Sequence, residues 1–220
     1  LIAAMVLTAA SCPLMSTPAV GMVIGLDGAF LLLVLIAETF LVPLTLPVVS
    51  SALVDIPLST FDLMGRLAAL VVSTFAAAVI AQRILGRARI DAWRQPLHGV
   101  SVILLVGFAA GLMAGVPQAF RDNPDHVIFV TILSFAVYAG LQLAGAGVFA
   151  VVGRAMGRDW GRVKVLSASF ASGNRNLAIL IAVLLPAIDP DTMLYFVVGQ
   201  FPIYLMPAVW RQLAKRLLPA

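Results

Sequence analysis

Residues 167–180 read SASFASGNRNLAIL, a polar stretch inside an apolar run that extends from about Val163 to Pro186. The stretch brings Arg175, a glycine and two asparagines to the middle of a segment long enough to span a bilayer. A charge at that depth costs about 2.5–3.5 kcal/mol on insertion scales, so the arginine must face protein or water and needs a partner. Gly173 and the asparagines allow a helix to break and expose backbone amides and carbonyls. The stretch is therefore the first candidate for a functional site.

The composition indicates a helical membrane protein. Of the 220 residues, 62% are hydrophobic and 11% are charged, and the mean hydropathy is +1.07. Soluble domains carry about 25% charged residues. The apolar runs are about 20 residues or longer and lack the alternation of barrel strands. A single cysteine, Cys12, excludes an internal disulfide. The net charge of +4 has to be interpreted loop by loop and does not indicate nucleic-acid binding.

We predict seven membrane segments in one domain that covers residues 1–220, with no linker that would divide it. Two of the segments are interrupted by polar, glycine or proline residues, namely 1–27 and about 163–187. The continuous segments are about 28–49, 63–85, 98–117, 126–152 and a last one that ends near residue 216.

Prolines and glycines add detail to two of these segments. We expect the second segment to close at Pro43 and Pro47 and a polar loop to follow over residues 50–62. The fourth segment carries small residues at four-residue spacing, a face on which another helix can pack closely. These residues are Gly107, Gly111 and Gly115.

The charged residues predict the orientation of the segments. Eleven of the 14 basic residues lie in alternate loops or in the C-terminal tail: Arg83, Arg87, Arg89, Arg94, Arg154, Arg158, Arg162, Lys164, Arg211, Lys215 and Arg216. The opposite loops carry mainly acidic residues: Asp55, Asp62, Asp122, Asp125, Asp189 and Asp191. By the positive-inside rule, the basic loops and the C-terminus are cytoplasmic and residue 1 lies on the outer side. We expect a multi-pass protein of the inner (plasma) membrane.

The first segment is interrupted by Ser11-Cys12-Pro13 and Ser16-Thr17-Pro18, whose prolines each remove an amide donor from a helix. It lies five segments before the one around Arg175, so the two cross the membrane in opposite directions. Paired broken helices of this kind indicate an inverted-repeat secondary transporter with a site near the midplane. Half-helix N-termini suit an anion, whereas half-helix C-termini suit a cation. The alternative is that prolines and glycines only kink packed helices.

Three groups of residues resemble the bacterial bile acid:sodium symporter-like family. Ser167 to Ile181 resembles the family's second crossing helix, which has the signature Glu-x-Gly-x-Gln-Asn. Ser11 to Asp27 resembles its first crossing helix, which has Cys-Pro-Gly-Gly-Thr-x-Ser-Asn and a closing Gly-Asp. The run Glu38-Thr39-Phe40-Leu41-Val42-Pro43 with Leu46-Pro47 is similar to the helix that follows. Order and spacing agree from residue 1 to about residue 216.

The resemblance implies an all-α fold of about ten helices in two inverted five-helix repeats, arranged as a panel domain and a core domain. The chain would hold seven of these helices, with 1–50 as the end of the first repeat and 60–217 as the second. Three N-terminal helices would precede it. The implied function is secondary-active transport of a small organic anion by alternating access around the crossing of residues 12–18 and 172–176.

The chain departs from the family at its sodium-binding residues. The family's sodium-binding Glu corresponds to Ala171, its Gln to Arg175 and its Ser-Asn pair to Pro18-Ala19. Because a guanidinium repels a cation, these changes argue against sodium, and no other cofactor or metal is expected. We expect Glu38 to pair with Arg175 in place of the ion, and an anionic substrate or a proton to compete for the pair. A static structural ion pair is the alternative.

The candidate substrate- and ion-binding residues are Ser16, Thr17, Pro18, Glu38, Ser172, Gly173, Asn174, Arg175, Asn176 and Gln200. The sequence holds no Ser-His-Asp set, no metal-ligand cluster and no phosphate loop, so we do not expect an enzyme. The expected partners are a small organic anion and the lipid bilayer, with a homodimer as an open alternative and no nucleic acid. Two other functions stay open: a proton-driven efflux carrier of the same superfamily, and a membrane sensor that binds a ligand without moving it.

Overall fold

The computed structural model describes residues 1–54, 58–157, 160–185 and 188–217. Asp55, Arg158 and Pro186, which belong to the predicted loops and segments, lie outside these ranges. The regular elements of the described residues are helices, which confirms the all-α class. They are α1 Ile2–Ala10, α2 Thr17–Val23, α3 Gly28–Leu53, α4 Thr60–Leu85, α5 Arg87–Ala92, α6 Arg94–Met113, α7 Val116–Asp122, α8 Pro124–Ala155, α9 Gly161–Gly173, α10 Leu177–Leu184, α11 Pro190–Val198 and α12 Gln200–Leu217.

Five stretches of the described chain are helical, long and apolar enough to cross a membrane. They are Gly28–Leu53, Thr60–Leu85, Gln95–Asp122, Pro124–Ala155 and Pro190–Leu217. Large apolar side chains are exposed along them, for example Ile103 and Leu143, which are 72% and 74% exposed. A soluble monomer rarely exposes so much contiguous apolar surface, whereas lipid covers it. The chain is therefore a helical membrane protein.

Helix α3 continues through both of its prolines, so the expected closure of the second segment at Pro43 and Pro47 is wrong. The prolines are four residues apart and lie on one buried helix face. The amides that Pro43 and Pro47 lack would have bonded to the carbonyls of Thr39 and Pro43, four residues earlier. Membrane helices tolerate interior prolines more readily than soluble helices do. The expected loop over 50–62 is correspondingly shorter and begins after α3.

The region of the fourth predicted segment also differs from the prediction. The helical stretch is longer than expected, and part of the expected basic loop forms α5. Side chains added at Gly107, Gly111 and Gly115 would meet no atom within 4 Å in the described part of the chain. Within the described chain, no helix packs closely on this small face, and no described side chain of α6 is buried.

The first interrupted segment breaks between α1 and α2, as its prolines predict. Helix α1 ends where Ser11 turns to extended backbone, and Ser11 Oγ bonds to the Thr8 carbonyl. Pro18 lies in the first turn of α2, where a missing amide costs nothing. After α2, Gly25 adopts a φ of 89°, a left-handed conformation that glycine allows, and the Asp27 side chain caps α3 by accepting from the Phe30 amide.

The second interrupted segment breaks between α9 and α10 at residues 174–176. The Asn176 side chain caps α10 by accepting from the Ile179 amide at 3.4 Å. Upstream of the break, α9 packs closely on α8. A side chain at Gly173 would collide with Gln142, and one at Gly145 would collide with the Cβ and Oγ atoms of Ser172. These two glycines therefore permit a close approach that fixes α9 against α8.

Two side-chain contacts and one shared cavity show which helix ends lie at the same end of the molecule. His126 Nε2 lies 3.0 Å from Asp191 Oδ1, which joins the starts of α8 and α11. Arg66 Nη1 donates to the Val183 carbonyl at 3.4 Å and joins the start of α4 to the end of α10. At the other end, Leu217 and Gly157 line one cavity. This grouping agrees with the predicted alternation of acidic and basic loops, and the side that faces the cytoplasm stays a prediction.

We predict that Gly145→Ala lowers the free energy of unfolding by about 1–3 kcal/mol, because the new methyl group overpacks against Ser172. Gly147→Ala on the same helix is the matched control. Its methyl group enters open space and should leave stability within about 1 kcal/mol or raise it through helix propensity. Thermal unfolding of both variants in detergent measures the difference. Equal stability of the two variants would contradict the close α8–α9 packing.

Candidate functional site

The two breaks meet and pair through their backbones. The amide of Leu14 donates to the Asn174 carbonyl at 2.8 Å, and the amide of Asn176 donates to the Cys12 carbonyl at 2.8 Å. Pro13 and Arg175 thus face each other in an isolated antiparallel bridge. Each break supplies the hydrogen-bond partners that the other has lost. This mutual satisfaction lets two helices be interrupted away from water.

Arg175 projects from this bridge onto both broken helices. Its Nε donates to the carbonyl of Ser172 at 2.7 Å, in the last turn of α9. Its Nη1 donates to the carbonyl of Ser11 at 2.6 Å, at the C-terminal end of α1. The C-terminal end of a helix carries about half a negative charge. The guanidinium therefore lies at the negative ends of two helix dipoles, where a bound cation would also be stabilised.

Glu38 on α3 completes the environment of the guanidinium. Its Oε2 lies 2.7 Å from Arg175 Nη1, so the predicted ion pair between these residues is present. The arginine side chain is 10% exposed and the glutamate side chain is 38% exposed. The pair is therefore buried on the arginine side and open on the carboxylate side. Among the described residues, Nη2 of Arg175 donates to no acceptor, which leaves two N–H donors for a ligand.

A cavity of about 250 Å³ opens beside the ion pair. Its walls are Ala9, Ala10, Ser11, Cys12, Glu38, Leu41, Val42, Thr45 and Arg175. Both members of the pair face this space, together with the apolar side of α3 and the end of α1. A ligand in the cavity would reach the guanidinium and the carboxylate together.

A second polar contact joins the two breaks on their buried side. Asn174 Nδ2 donates to Thr17 Oγ1 at 2.8 Å, and the two residues are 4% and 0% exposed. The hydrogen bond ties the start of α2 to the break between α9 and α10. Because both groups are buried and paired, this contact holds the crossing together and is not open to a ligand.

Some of the other predicted site residues lie beside the crossing of the two breaks, and Gln200 makes no hydrogen bond to it in the described chain. Ser16 stands at the N-terminal end of α2 and Pro18 is buried in its first turn, both next to Thr17. Ser172 Oγ donates within α9 to the Ala168 carbonyl. Gln200 is not joined to the crossing by any hydrogen bond of the described residues, because its amide donates to Phe196 of the preceding helix at 3.5 Å.

Sequence reasoning missed the backbone groups that complete the site. The carbonyls of Ser11 and Ser172 accept from Arg175, although any residue could supply a carbonyl. It also assigned no particular role to Gln142, whose side chain packs at Gly173 and whose carbonyl accepts from Ser169 Oγ at 2.6 Å. The glycine three residues before Asn176 is a signal for this close packing.

Comparison of the chain with models of known protein families gives no match, and comparison with curated proteins gives none either. The resemblance drawn from the sequence motifs therefore stays a prediction, as do the roles of the individual site residues.

We predict that Glu38→Gln and Arg175→Gln each lower the free energy of unfolding, because each leaves an uncompensated charge. Breaking a fully buried pair costs about 3–5 kcal/mol. Since Glu38 is partly open, we expect about 1–3 kcal/mol here. The double variant should lose at least about 1 kcal/mol less than the sum of the two single losses. Denaturation in detergent measures the free energy of unfolding of the unchanged protein, the two single variants and the double variant. Additive losses would show that there is no coupling energy between Glu38 and Arg175.

Proposed function

We propose that the chain belongs to a secondary transporter that moves a small organic anion by alternating access, with Arg175 as the anion-binding group. The observation that carries this proposal is the guanidinium held at the junction of two broken helices by Glu38, beside a cavity. Ionisable groups within membrane segments are costly and typically mark substrate or ion pathways.

The arrangement of the breaks supports the inverted-repeat part of the proposal. The two breaks run antiparallel where Pro13 faces Arg175, and each break donates one backbone hydrogen bond to the other. Each interrupted segment also leads into a helix capped by an aspartate, Asp27 for α3 and Asp189 for α11. Antiparallel breaks followed by similarly capped helices are compatible with inverted repeats, whose corresponding helices cross the membrane in opposite directions. On this interpretation, five continuous and two broken helices span the membrane.

An anionic substrate would bind by competing with Glu38. Its carboxylate would accept from Nη2 of Arg175 and then replace Glu38 at Nη1. Glu38 would be left without a countercharge at a depth where an unpaired carboxylate is costly. Taking up one proton removes that charge. The exchange therefore couples one anion to one proton and keeps the net charge of the site unchanged, which favours a proton gradient as the driving force.

The same geometry argues against sodium as the coupling ion. Helix C-terminal carbonyls and a carboxylate are groups that hold sodium in broken-helix transporters. Here the guanidinium takes the Ser11 and Ser172 carbonyls and Glu38 itself. Arg175 would act as a tethered cation that never leaves the protein.

The cavity volume favours a small substrate. A water molecule takes about 30 Å³ in the liquid, so a volume of about 250 Å³ corresponds to about eight waters. A short-chain carboxylate fits this space, and its apolar part would contact Leu41 and Val42. A bulky sterol-like anion would need the cavity to open much further.

We predict uptake of a small radiolabelled carboxylate, from a panel of acetate, pyruvate and butyrate, into proteoliposomes that contain the intact protein. A proton gradient, acidic on the outer side, should stimulate uptake at least about tenfold, and a sodium gradient should not, because Arg175 occupies the cation position. Sodium-driven uptake by the unchanged protein would contradict this coupling. Binding of a carboxylate without uptake under any gradient would instead assign the chain to the ligand-binding sensors.

Two variants and a control distinguish the roles of Arg175 and Glu38 in the uptake assay. Arg175→Gln should abolish uptake because it removes the anion-binding group. Glu38→Gln should retain carboxylate binding and lose the stimulation by the proton gradient, because the amide takes up no proton. Arg66→Gln is the matched control, since it also removes an arginine that donates to a backbone carbonyl but lies away from the crossing. Uptake by this control should stay within about twofold.

A further inference from the structure

A second cavity lies at the other end of the chain's packed helices, away from the crossing. It measures about 610 Å³ and opens between the end of α8, the start of α9 and the end of α12. Its apolar walls include Ala150, Val165, Leu166 and Leu217, and two arginines, Arg154 and Arg162, line it as well. A space with both apolar walls and cationic groups suits a molecule that is apolar at one end and anionic at the other.

The cations of this cavity are not neutralised by the described chain. Arg154 and Arg162 are exposed, and neither forms an ion pair with another described residue. In the sequence, residues 150–166 contain four basic residues and a single acid. The local excess of positive charge therefore requires an anionic partner or solvent.

Aromatic and lysine side chains favour a position of this cavity at the edge of the membrane. Trp160 lines it and packs against Phe149 with ring centroids 5.0 Å apart, and Lys164 Nζ lies 5.7 Å from the tryptophan ring centre. Tryptophan and lysine are the residues that accumulate at the headgroup level. The positive-inside rule assigns this end to the cytoplasmic leaflet, whose lipids include anionic ones.

We propose that this cavity binds one anionic phospholipid of the cytoplasmic leaflet. The phosphate lies between Arg154 and Arg162, which can each donate two parallel hydrogen bonds to phosphate oxygens. One acyl chain follows the apolar wall formed by Val165, Leu166 and Leu217. A basic pocket between membrane helices on the cytoplasmic side is the known setting for such headgroups. The lipid would hold α8, α9 and α12 together at the end opposite to the acidic loops.

Native mass spectrometry and thermal unfolding of the purified, delipidated protein in detergent test this proposal. Phosphatidylglycerol should bind at least tenfold more tightly than phosphatidylcholine with the same acyl chains and should raise the unfolding temperature. Inorganic phosphate at the same concentration should do neither, because it lacks the apolar part. Equal binding of the two lipids, or equal stabilisation by phosphate, would overturn the proposal.

Variants locate the binding in this cavity. The double variant Arg154→Gln/Arg162→Gln should bind phosphatidylglycerol at least tenfold more weakly. Ala150→Phe should also weaken binding, because it fills the cavity and leaves both arginines in place. The double variant Arg83→Gln/Arg87→Gln is the control, since it removes two exposed arginines of the same predicted membrane side that do not line the cavity. Binding lost equally in the control, or kept in both cavity variants, would contradict the assigned site.

Discussion

The structure depends on the satisfaction of backbone groups where two helices break. In an apolar surrounding, every unpaired amide or carbonyl carries a large desolvation cost, so an isolated break within a membrane segment would be unstable. Here the breaks at Pro13 and Arg175 supply two hydrogen bonds to each other, and the Arg175 side chain donates to the carbonyls of Ser11 and Ser172. The positive charge that does this then requires Glu38 on α3. One constraint thus explains the crossing, the arginine and the carboxylate.

Much of this arrangement could be predicted from the sequence, because it follows from residues with strong local effects. Pro13 and Pro18 each remove an amide donor and lie just after the end of one helix and at the start of the next, and a mid-segment arginine needs a countercharge that Glu38 supplies. The carbonyl partners of Arg175 could not be predicted, since every residue carries a carbonyl and its direction depends on the tertiary fold. Pro47 predicts a helix end that does not occur, because membrane helices tolerate interior prolines more readily than soluble helices do. The spacing of Gly107 and Gly111 predicts a packed face, but spacing alone does not supply a neighbouring helix.

On the proposed function, the same contacts would let the site change state. The backbone bridge and the buried Asn174–Thr17 hydrogen bond hold the two breaks together away from the cavity. The Glu38 carboxylate faces the cavity, where a substrate carboxylate could replace it at Arg175. Exchange of Glu38 for a substrate carboxylate changes few contacts, and the net charge stays constant when Glu38 takes up one proton. A proposed lipid at the opposite end, between Arg154 and Arg162, would keep α8 and α9 fixed while the ion pair is exchanged. In this account the helices around the crossing are a stable frame, and the ion pair is the part that responds to substrate.

We propose that the Arg175 guanidinium stands where a cation would otherwise bind. Binding of ²²Na⁺ to the purified protein tests this, with the unchanged protein compared to Arg175→Gln. We expect no specific ²²Na⁺ binding by the unchanged protein. We expect saturable binding by Arg175→Gln, because the substitution frees the Ser11 and Ser172 carbonyls and the Glu38 carboxylate. Specific ²²Na⁺ binding by the unchanged protein, equal to that of the variant, would contradict it.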